Sequence, residues 1–263
     1  MDKLYVIKIG GNIIDDEAKL SSFLKLFAAI EAKKILIHGG GKVATKIGEQ
    51  LGIESKYVDG RRITDAETID LVTMVYAGLI NKKIVAQLQS YHCNAMGVTG
   101  ADGNLIPANK RPVKEIDYGF VGDVKSENLS GSNWNTLLQA GFDPVVAPIT
   151  HDGEGQLLNT NADTIAQEVA KTLSASFKVS LIYSFEKAGV LLNINDESTN
   201  IKKLNKSYYN KLKNEGKIFA GMLPKLDNAF AAIHSGVEKV IIGNAEQLSA
   251  LIAGTAGTTI IND

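Results

Sequence analysis

Apolar residues run along this chain in two rhythms, and their alternation predicts the fold. Leu4-Tyr-Val-Ile-Lys-Ile9 is short, rich in β-branched residues and closed by Gly10-Gly11, which reads as a strand. Helical spacing follows over Glu17–Ala32, through Leu20, Phe23, Leu24, Phe27 and Ile30. Ile35-Leu-Ile-His38 reads as a second buried strand, stopped by Gly39-Gly40-Gly41, and helix resumes over Val43–Leu51. This opening is βαβα, whose default packing is a mostly parallel sheet with helices on both faces.

Further along, Thr64-Asp-Ala-Glu67 has the spacing of a capping box with Thr64 as N-cap. The helix it starts carries Ile69, Val72, Met74 and Val75, and later Ile80, Ile84, Val85 and Leu88. Residues 97–123 are rich in Gly, Asp, Asn and Pro, as expected of short hairpins over a site. Strands are predicted at Phe142–Ile149, Val179–Tyr183, Lys239–Ile242 and Thr258–Ile261. Asn159–Leu173 reads as loop then helix, and Lys206–Glu215 and Pro224–Ser235 as helices. No repeat, low-complexity segment or linker divides the chain, so two lobes sharing one sheet are expected. The fold class is α/β.

Composition narrows the partners. The 263 residues are 44% hydrophobic and 22% charged, and 28 basic residues nearly balance 29 acidic ones, for a net charge of −1. Basic residues cluster in pairs at most, such as Arg61-Arg62 and Lys82-Lys83, so no track for a nucleic-acid backbone exists. The single cysteine, Cys93, excludes an intramolecular disulfide and suits a reducing compartment; its place at the end of an apolar helical stretch reads as burial. Lys8 interrupts the N-terminal apolar run too early for a signal peptide, and no stretch approaches the ~20 residues of a membrane helix. A cytoplasmic protein with no membrane or nucleic-acid partner is expected.

Two strand–glycine loops lie within the first 41 residues. Glycine lets a backbone approach a ligand closely, and consecutive N–H groups at a helix start cradle anions, although tight βα turns also use glycine for nothing more than the turn. Neither loop has P-loop or G-x-G-x-x-G spacing. Alternation puts Leu4, Val6 and Lys8 on one strand face, with Lys8 near the strand's C-terminal end, where ligands of open α/β sheets bind. Gly221-Met-Leu-Pro-Lys225 sets a proline in a helix's first turn and Lys225 at the end that attracts anions. Leu158-Asn-Thr-Asn-Ala-Asp163 opens another helix, with Asn161 or Asp163 as candidate caps. The four histidines make no metal spacing and no nucleophile pattern, and His38 reads as packing at a strand end.

Taken in order and spacing, these segments resemble the acetylglutamate kinases of the amino-acid kinase superfamily over the whole chain. The matching residues are Lys8-Ile-Gly-Gly11, His38-Gly-Gly-Gly41, Gly60-Arg-Arg-Ile-Thr64 with Glu67-Thr68, and Ala77-Gly78 with Asn81-Lys82. They continue through Gly97-Val-Thr-Gly-Ala-Asp-Gly103, Val121-Gly-Asp123, Asn159-Thr-Asn-Ala-Asp163 and Gly221-Met-Leu-Pro-Lys225. The resemblance implies a three-layer αβα sandwich with a mostly parallel central sheet. Residues 1–160 would bind the N-acylglutamate and form a homodimer interface, and residues 161–263 would bind nucleotide. It implies that Lys8 and Lys225 bridge the transferring phosphoryl group and that Asp163 holds both lysines. Gly40, Gly41, Arg62 and Asn159 would bind the acylated amino acid, with Arg62 on its α-carboxylate. Gly10, Gly11, Ser184 and Gly189 would line the nucleotide. ATP and N-acetyl-L-glutamate are the implied substrates, with Mg2+ held through the phosphates and no metal site of the protein's own.

Elementary chemistry agrees. A glutamate side-chain carboxylate is ionised at neutral pH, its reference pKa being about 4.3, so its attack needs no general base. The difficulty is bringing one anion up to another, which calls for cations from both sides and in-line positioning. Two departures from the family pattern stand out. Ser184-Phe-Glu-Lys-Ala-Gly-Val190 lacks the family's aspartate and has one extra residue, and Arg61 occupies a position that is usually apolar. Arg61 would suit a longer acyl chain carrying a carboxylate, such as N-succinyl. Alternation along an extended segment instead predicts Arg61 in solvent if Arg62 faces the site. Carbamate, aspartate and uridylate kinases, and a non-catalytic sensor on the same fold, are the competing readings; the Gly60–Thr64 and Asn159–Asp163 segments speak against the first group. A sensor would have no reason to keep Lys8, Lys225 and Asp163 together.

Overall fold

Lys3–Ile9 (β1) is apolar on both faces and therefore lies inside the molecule: Leu4 and Val6 pack into one core layer, Ile7 and Ile9 into the other. The computed structural model describes residues 1–58, 60–218 and 222–262. The remaining strands of the main sheet are Lys33–Ile37 (β2), Ala95–Val98 (β3), Asp143–Val146 (β4), Lys178–Phe185 (β5), Lys203–Leu204 (β6), Lys239–Asn244 (β7) and Thr258–Ile260 (β8). Among the described residues they form one eight-stranded sheet in the order β6-β8-β7-β5-β1-β2-β4-β3. Every neighbouring pair is parallel except β7 with β8. The expected mostly parallel sheet is present, with an antiparallel pairing near one edge. β5 bonds directly to β1, so one sheet runs unbroken between the N- and C-terminal parts of the chain.

Helices cover both faces. Their ranges are Gly11–Ile14 (α1), Glu17–Ala28 (α2), Gly41–Leu51 (α3), Ala66–Val72 (α4), Asn81–Ser90 (α5) and Gly131–Gln139 (α6). Ala162–Leu173 (α7), Lys206–Asn214 (α8), Leu223–His234 (α9) and Leu248–Ala253 (α10) follow. One core layer joins Leu4, Val6 and Leu181 to Trp134 of α6, Ile165 and Val169 of α7 and Leu226 of α9. The other joins Ile7, Leu36 and Ile182 to Phe23 and Phe27 of α2, Leu71 of α4, Ile84 of α5 and Leu251 of α10. The result is helix, sheet, helix. Cys93 is buried as expected, donates its Sγ–H to Asp143 Oδ2 at 3.1 Å, and burial pushes its thiol up to about 12.

Local reading and structure part company in the first long helices. The helix predicted over 17–32 stops at Ala28, because β2 already begins at Lys33. The long helix after residue 64 is not uniform: α4 and α5 are joined by a π-helical stretch, Thr73–Ile80, whose wider turns apolar spacing alone does not reveal. Its N-cap is Asp65 rather than Thr64. The Asp65 carboxylate accepts from Thr68 N–H at 2.9 Å, while Thr64 is fully buried and its hydroxyl is 3.1 Å from Asn159 Nδ2 and 3.3 Å from Arg62 O. Thr64 is thus a core polar residue serving the site, which a capping pattern cannot show. No helix among the described residues is long and apolar enough to cross a membrane.

If Asp65 is the cap, Asp65→Ala will destabilise the protein by about 1 kcal/mol in chemical denaturation, the usual worth of an N-cap side chain. A neutral outcome would return the capping role to another residue.

Candidate active site

The strands β1, β2 and β5 all end at one sheet edge, and their loops carry the candidate residues to it. β1 delivers Lys8 on its Leu4–Val6 face, the face covered by α7. Asp163 stands in the first turn of α7, whose N-cap is Asn161: its Oδ1 accepts from the N–H groups of Asp163 and Thr164 at 2.8 and 3.1 Å. The capping left open between Asn161 and Asp163 thus falls to Asn161, and the Asp163 carboxylate is free for other work. It bridges two ammoniums. Lys8 Nζ lies 2.8 Å from Oδ1 and Lys225 Nζ 3.3 Å from Oδ2. Lys225 reaches in from the first turn of α9; Gly221 of its motif lies outside the described residues.

These charges are poorly hydrated, the Asp163 side chain being 17% exposed and that of Lys8 12%. Burial alone would raise the Asp163 pKa, but the ammoniums of Lys8 and Lys225 outweigh it and hold the carboxyl down at about 2, against an ordinary 3.8. Tyr183 closes the back of the cluster by donating its hydroxyl to the Asp163 carbonyl at 3.2 Å.

Two cavities meet here. The first, of about 220 Å3, is lined by Gly39, Gly40 and Gly41, by Arg62 and Tyr76, and by Asn159 to Ala162. The second, of about 480 Å3, is lined by Lys8, Gly10, Gly11, Phe185, Gly189 and Lys225. Gly41 borders both. Its α3 begins with no side-chain cap among the described residues, and uncapped N–H groups at a helix start are suited to an anion. A Cβ on Gly11 or Gly41 would meet nothing within 4 Å, whereas one on Gly40 (φ +151°) would run into Ile80 and Tyr76 of the π-helical stretch. Gly40 is therefore required by packing, and Gly11 and Gly41 keep the cavity side of the backbone bare.

Behind the second glycine loop His38 is fully buried. Its Nδ1 is 2.8 Å from Gly39 O and its Nε2 3.1 Å from Asn81 Nδ2; Asn81 also donates to Val145 O at 2.9 Å. Since Asn81 donates to Nε2, the ring proton sits on Nδ1. Burial pushes the His38 pKa down to about 4, so the ring is neutral and fixes the loop without titrating near pH 7.

Arg62 is buried in the wall of the first cavity. Its Nη2 donates to Gly41 O at 2.8 Å and to Thr45 Oγ1 at 2.9 Å, its Nη1 donates to Ser55 Oγ, and its guanidinium lies 4.8 Å from the centre of the Tyr57 ring. Asn159 is pinned through its Nδ2 to Thr64. In the second cavity Gly10 N–H donates to Ser184 O at 2.8 Å. Ser184 itself is buried and does not line the cavity; its part is to hold the Gly10 loop through its carbonyl. Phe185 and Ile194 supply an apolar wall, and Lys225 Nζ is 5.8 Å from the Phe185 ring centre. Tyr57, Tyr76, Arg111 and Phe185 went unread in the sequence because nothing local marks them.

Comparison with known proteins gives the family and the fold. The model of the amino acid kinase family matches residues 3–244. An acetylglutamate kinase of Cytophaga hutchinsonii is 56% identical over 264 residues, covering 99% of each chain. This chain belongs to the acetylglutamate kinases of that family. Another from Bacteroides fragilis is 55% identical, covering 98% of this chain and 97% of its own. The likeness extends to an acetylglutamate kinase of Methanopyrus kandleri at 38% identity over 92% of this chain and 96% of the relative. Among solved structures, a Streptococcus mutans UA159 protein shares the fold with a TM-score of 0.79 at 26% identity, covering 100% of this chain and 99% of that one. A Giardia lamblia carbamate kinase bound to AMP-PNP shares the fold alone, at TM-score 0.71 and 14% identity over 100% and 99% of the chains. Membership of the family gives the three-layer α/β fold its name and sets aside the non-enzymatic reading.

Because the Asp163 pKa is lower in the folded chain than unfolded, the ionised carboxylate stabilises the fold above about pH 3.8 and stops doing so as pH falls through about 2. Asp163→Asn, which leaves two ammoniums without a counter-ion, is expected to be less stable than the parent at pH 7 in urea denaturation. That deficit should shrink as pH is lowered from 4 towards 2; a pH-independent deficit would mean that Asp163 stabilises by packing instead.

Proposed function

We propose that this chain transfers the γ-phosphoryl group of ATP to the side-chain carboxylate of an N-acylated L-glutamate, in the first instance N-acetyl-L-glutamate, as a step of arginine and ornithine biosynthesis. The observation that carries the reading is the Lys8–Asp163–Lys225 cluster where two cavities share Gly41. A substrate carboxylate oxygen attacks Pγ, an O–Pγ bond forms, and the bond from Pγ to the β,γ-bridging oxygen breaks, its electron pair leaving with ADP. No proton moves. A site without a titrating base fits this reaction.

In this reading the acylated amino acid occupies the first cavity, with its α-carboxylate on Arg62 and its backbone against Gly40, Gly41 and Asn159. ATP occupies the second, with phosphates against Gly10 and Gly11 and its base towards the apolar wall at Phe185, beyond Gly189. Lys8 and Lys225 meet the three equatorial oxygens of the transferring group, where negative charge is spread in the transition state. Asp163 keeps the two ammoniums at one point before substrate arrives. Magnesium would be held through the phosphate oxygens of the nucleotide, since the Asp163 carboxylate is engaged by the two lysines. The ion would neutralise phosphate charge.

We further assign residues 1–160 to the acylglutamate and to a homodimer interface, residues 161–263 to the nucleotide, and the protein to the cytoplasm. Exposed Met74 and Leu79 on the long helix support such an interface, and the lone Cys93 suits a reducing compartment.

An acyl phosphate is trapped by hydroxylamine as a hydroxamate. Incubation with N-acetyl-L-glutamate, ATP and Mg2+ followed by hydroxylamine should yield that product; ligand binding without it would leave only a sensor. Lys8→Ala and Lys225→Ala should each lower kcat by about a hundredfold or more while changing KM far less, since their contacts strengthen in the transition state. Near-normal turnover in either variant would remove that lysine from the phosphoryl group. Arg62→Lys should raise KM for the acylglutamate and leave KM for ATP nearly unchanged, because an ammonium cannot copy the guanidinium fork. Equal changes in both would take Arg62 off the α-carboxylate.

A further inference from the structure

The first cavity carries more positive charge than N-acetylglutamate can use. Besides Arg62, its wall includes Arg61 and Arg111. An N-acetylglutamate has two carboxylates. In the proposed pose one faces Lys8 and Lys225 and the other Arg62, so neither is left for Arg61 and Arg111.

The expected alternation is half right. Arg61 and Arg62 form a short antiparallel ribbon with Tyr57 and Val58; Arg62 is buried and Arg61 exposed. Yet Arg61 stands at the rim and borders the cavity as well. Arg111 faces it from a different ribbon, Asn109–Lys110 paired with Gly122–Asp123. The same two arginines also line an adjoining cavity of about 510 Å3, whose other walls are Pro112, Lys114, Glu115, Ile116, Tyr118 and Asp123. They therefore stand between the acylglutamate cavity and the adjoining one.

Arg111 is held in place. Its Nε lies 3.0 and 3.2 Å from the two Asp123 oxygens, its Nη2 is 2.5 Å from Oδ1, and its guanidinium is 5.3 Å from the Tyr118 ring centre. Its Nη1 is buried with no hydrogen-bond partner among the described residues. A buried guanidinium nitrogen without a partner is costly, and Arg111 is held there bordering both cavities. Asp123 and Glu115 offset two of the three positive charges of Arg61, Arg111 and Lys114, which leaves this wall with a net charge of +1.

Substrate topology says what that ligand is. With the reacting carboxylate at the Gly41 end and the α-carboxylate at Arg62, the amide substituent has the Arg61–Arg111 wall left to it. We infer that Arg61 and Arg111 bind a carboxylate at the far end of the acyl group, so that this enzyme takes N-acylglutamates with a dicarboxylic acyl chain, of which N-succinyl-L-glutamate is the short example. The inference rests on the proposed acylglutamate kinase reading and deepens it. Charge, not chain length, is the feature recognised: planar guanidiniums suit a carboxylate and give nothing to a methyl group.

The test compares N-succinyl-L-glutamate with N-butyryl-L-glutamate, which has the same four-carbon chain without the charge, and with N-acetyl-L-glutamate. In the parent enzyme kcat/KM for the succinyl compound should exceed that for the butyryl compound by about tenfold or more, the lower range for a missing polar partner at an open rim, and should be no lower than for the acetyl compound. Arg61→Leu, at an exposed position, and Arg111→Lys, which keeps a cation opposite Asp123, should each pull the succinyl-to-butyryl ratio towards one. Equal values for the two chains in the parent enzyme, or a ratio indifferent to both variants, would overturn the inference. Calorimetric binding of the same two compounds without ATP gives a second readout. A succinyl preference in binding, lost in Arg61→Leu, supports the subsite even if no acylglutamate is phosphorylated, in which case the kinase reading alone fails. Equal binding of both compounds by the parent protein overturns the subsite whatever the turnover.

Discussion

One carboxylate between two ammoniums organises this molecule. Phosphoryl transfer to a carboxylate asks two anions to approach, and the two cations proposed to permit it would repel one another until substrate arrives. Asp163 removes that repulsion by contacting both lysines, one from the central strand and one from a helix of the C-terminal part. Its low pKa keeps the counter-charge in place throughout the neutral range. The surrounding fold supplies a rigid origin for each of the three side chains, and the cluster lies at the end of β1, one of the two central strands of the sheet.

The glycine loops depend on supports that are not themselves reactive. Gly40 admits no side chain because the π-helical stretch packs against it, and the following Gly41 borders both cavities. His38 resembles a catalytic residue in composition and acts as a strut in fact. Buried, neutral and bonded to Asn81, it joins the end of β2 to the long helix and to β4. Ser184 does similar work from the other side, its carbonyl fixing the Gly10 amide. Several polar residues near the site thus set its shape, and few remain for chemistry.

Much of this was legible in the sequence, and the reason differs by feature. Strands with apolar runs on both faces announce a covered parallel sheet, and β1, β2, β5 and β7 fall where those runs lie. Lys8 could be singled out because a charge near the end of such a run has no packing role. Edge strand β3, with an exposed methionine, lacks that contrast and stayed hidden in a loop-like stretch, as did the short β6. Asp65 displaced Thr64 as cap because Thr64 was needed by Asn159 nearly a hundred residues away, a tertiary demand that local spacing does not record. Arg111 lay in an unremarkable Asn-Lys-Arg-Pro segment; only the folded ribbon sets it opposite Arg61. The reading of Ser184 as a ligand residue came from the family resemblance; it lies inside β5, where its carbonyl accepts from the Gly10 N–H.

Asn159 and Asp163 belong to one short stretch of chain, the former lining the first cavity and the latter holding the lysines. In the proposed pose Arg62 grips the α-carboxylate, and the backbone from Asn159 to Asp163, anchored by Thr64 at one end and by the Asn161 cap near the other, sets the distance from the substrate's middle to the lysines. Such a span works as a gauge. An N-acylaspartate gripped in the same way, one methylene shorter, would present its carboxylate roughly 1.5 Å short of the lysines. A misplacement on the order of 1 Å costs about a hundredfold in rate. Selection of glutamate over its shorter homologue then needs no dedicated contact, because the measure is taken by the chain itself.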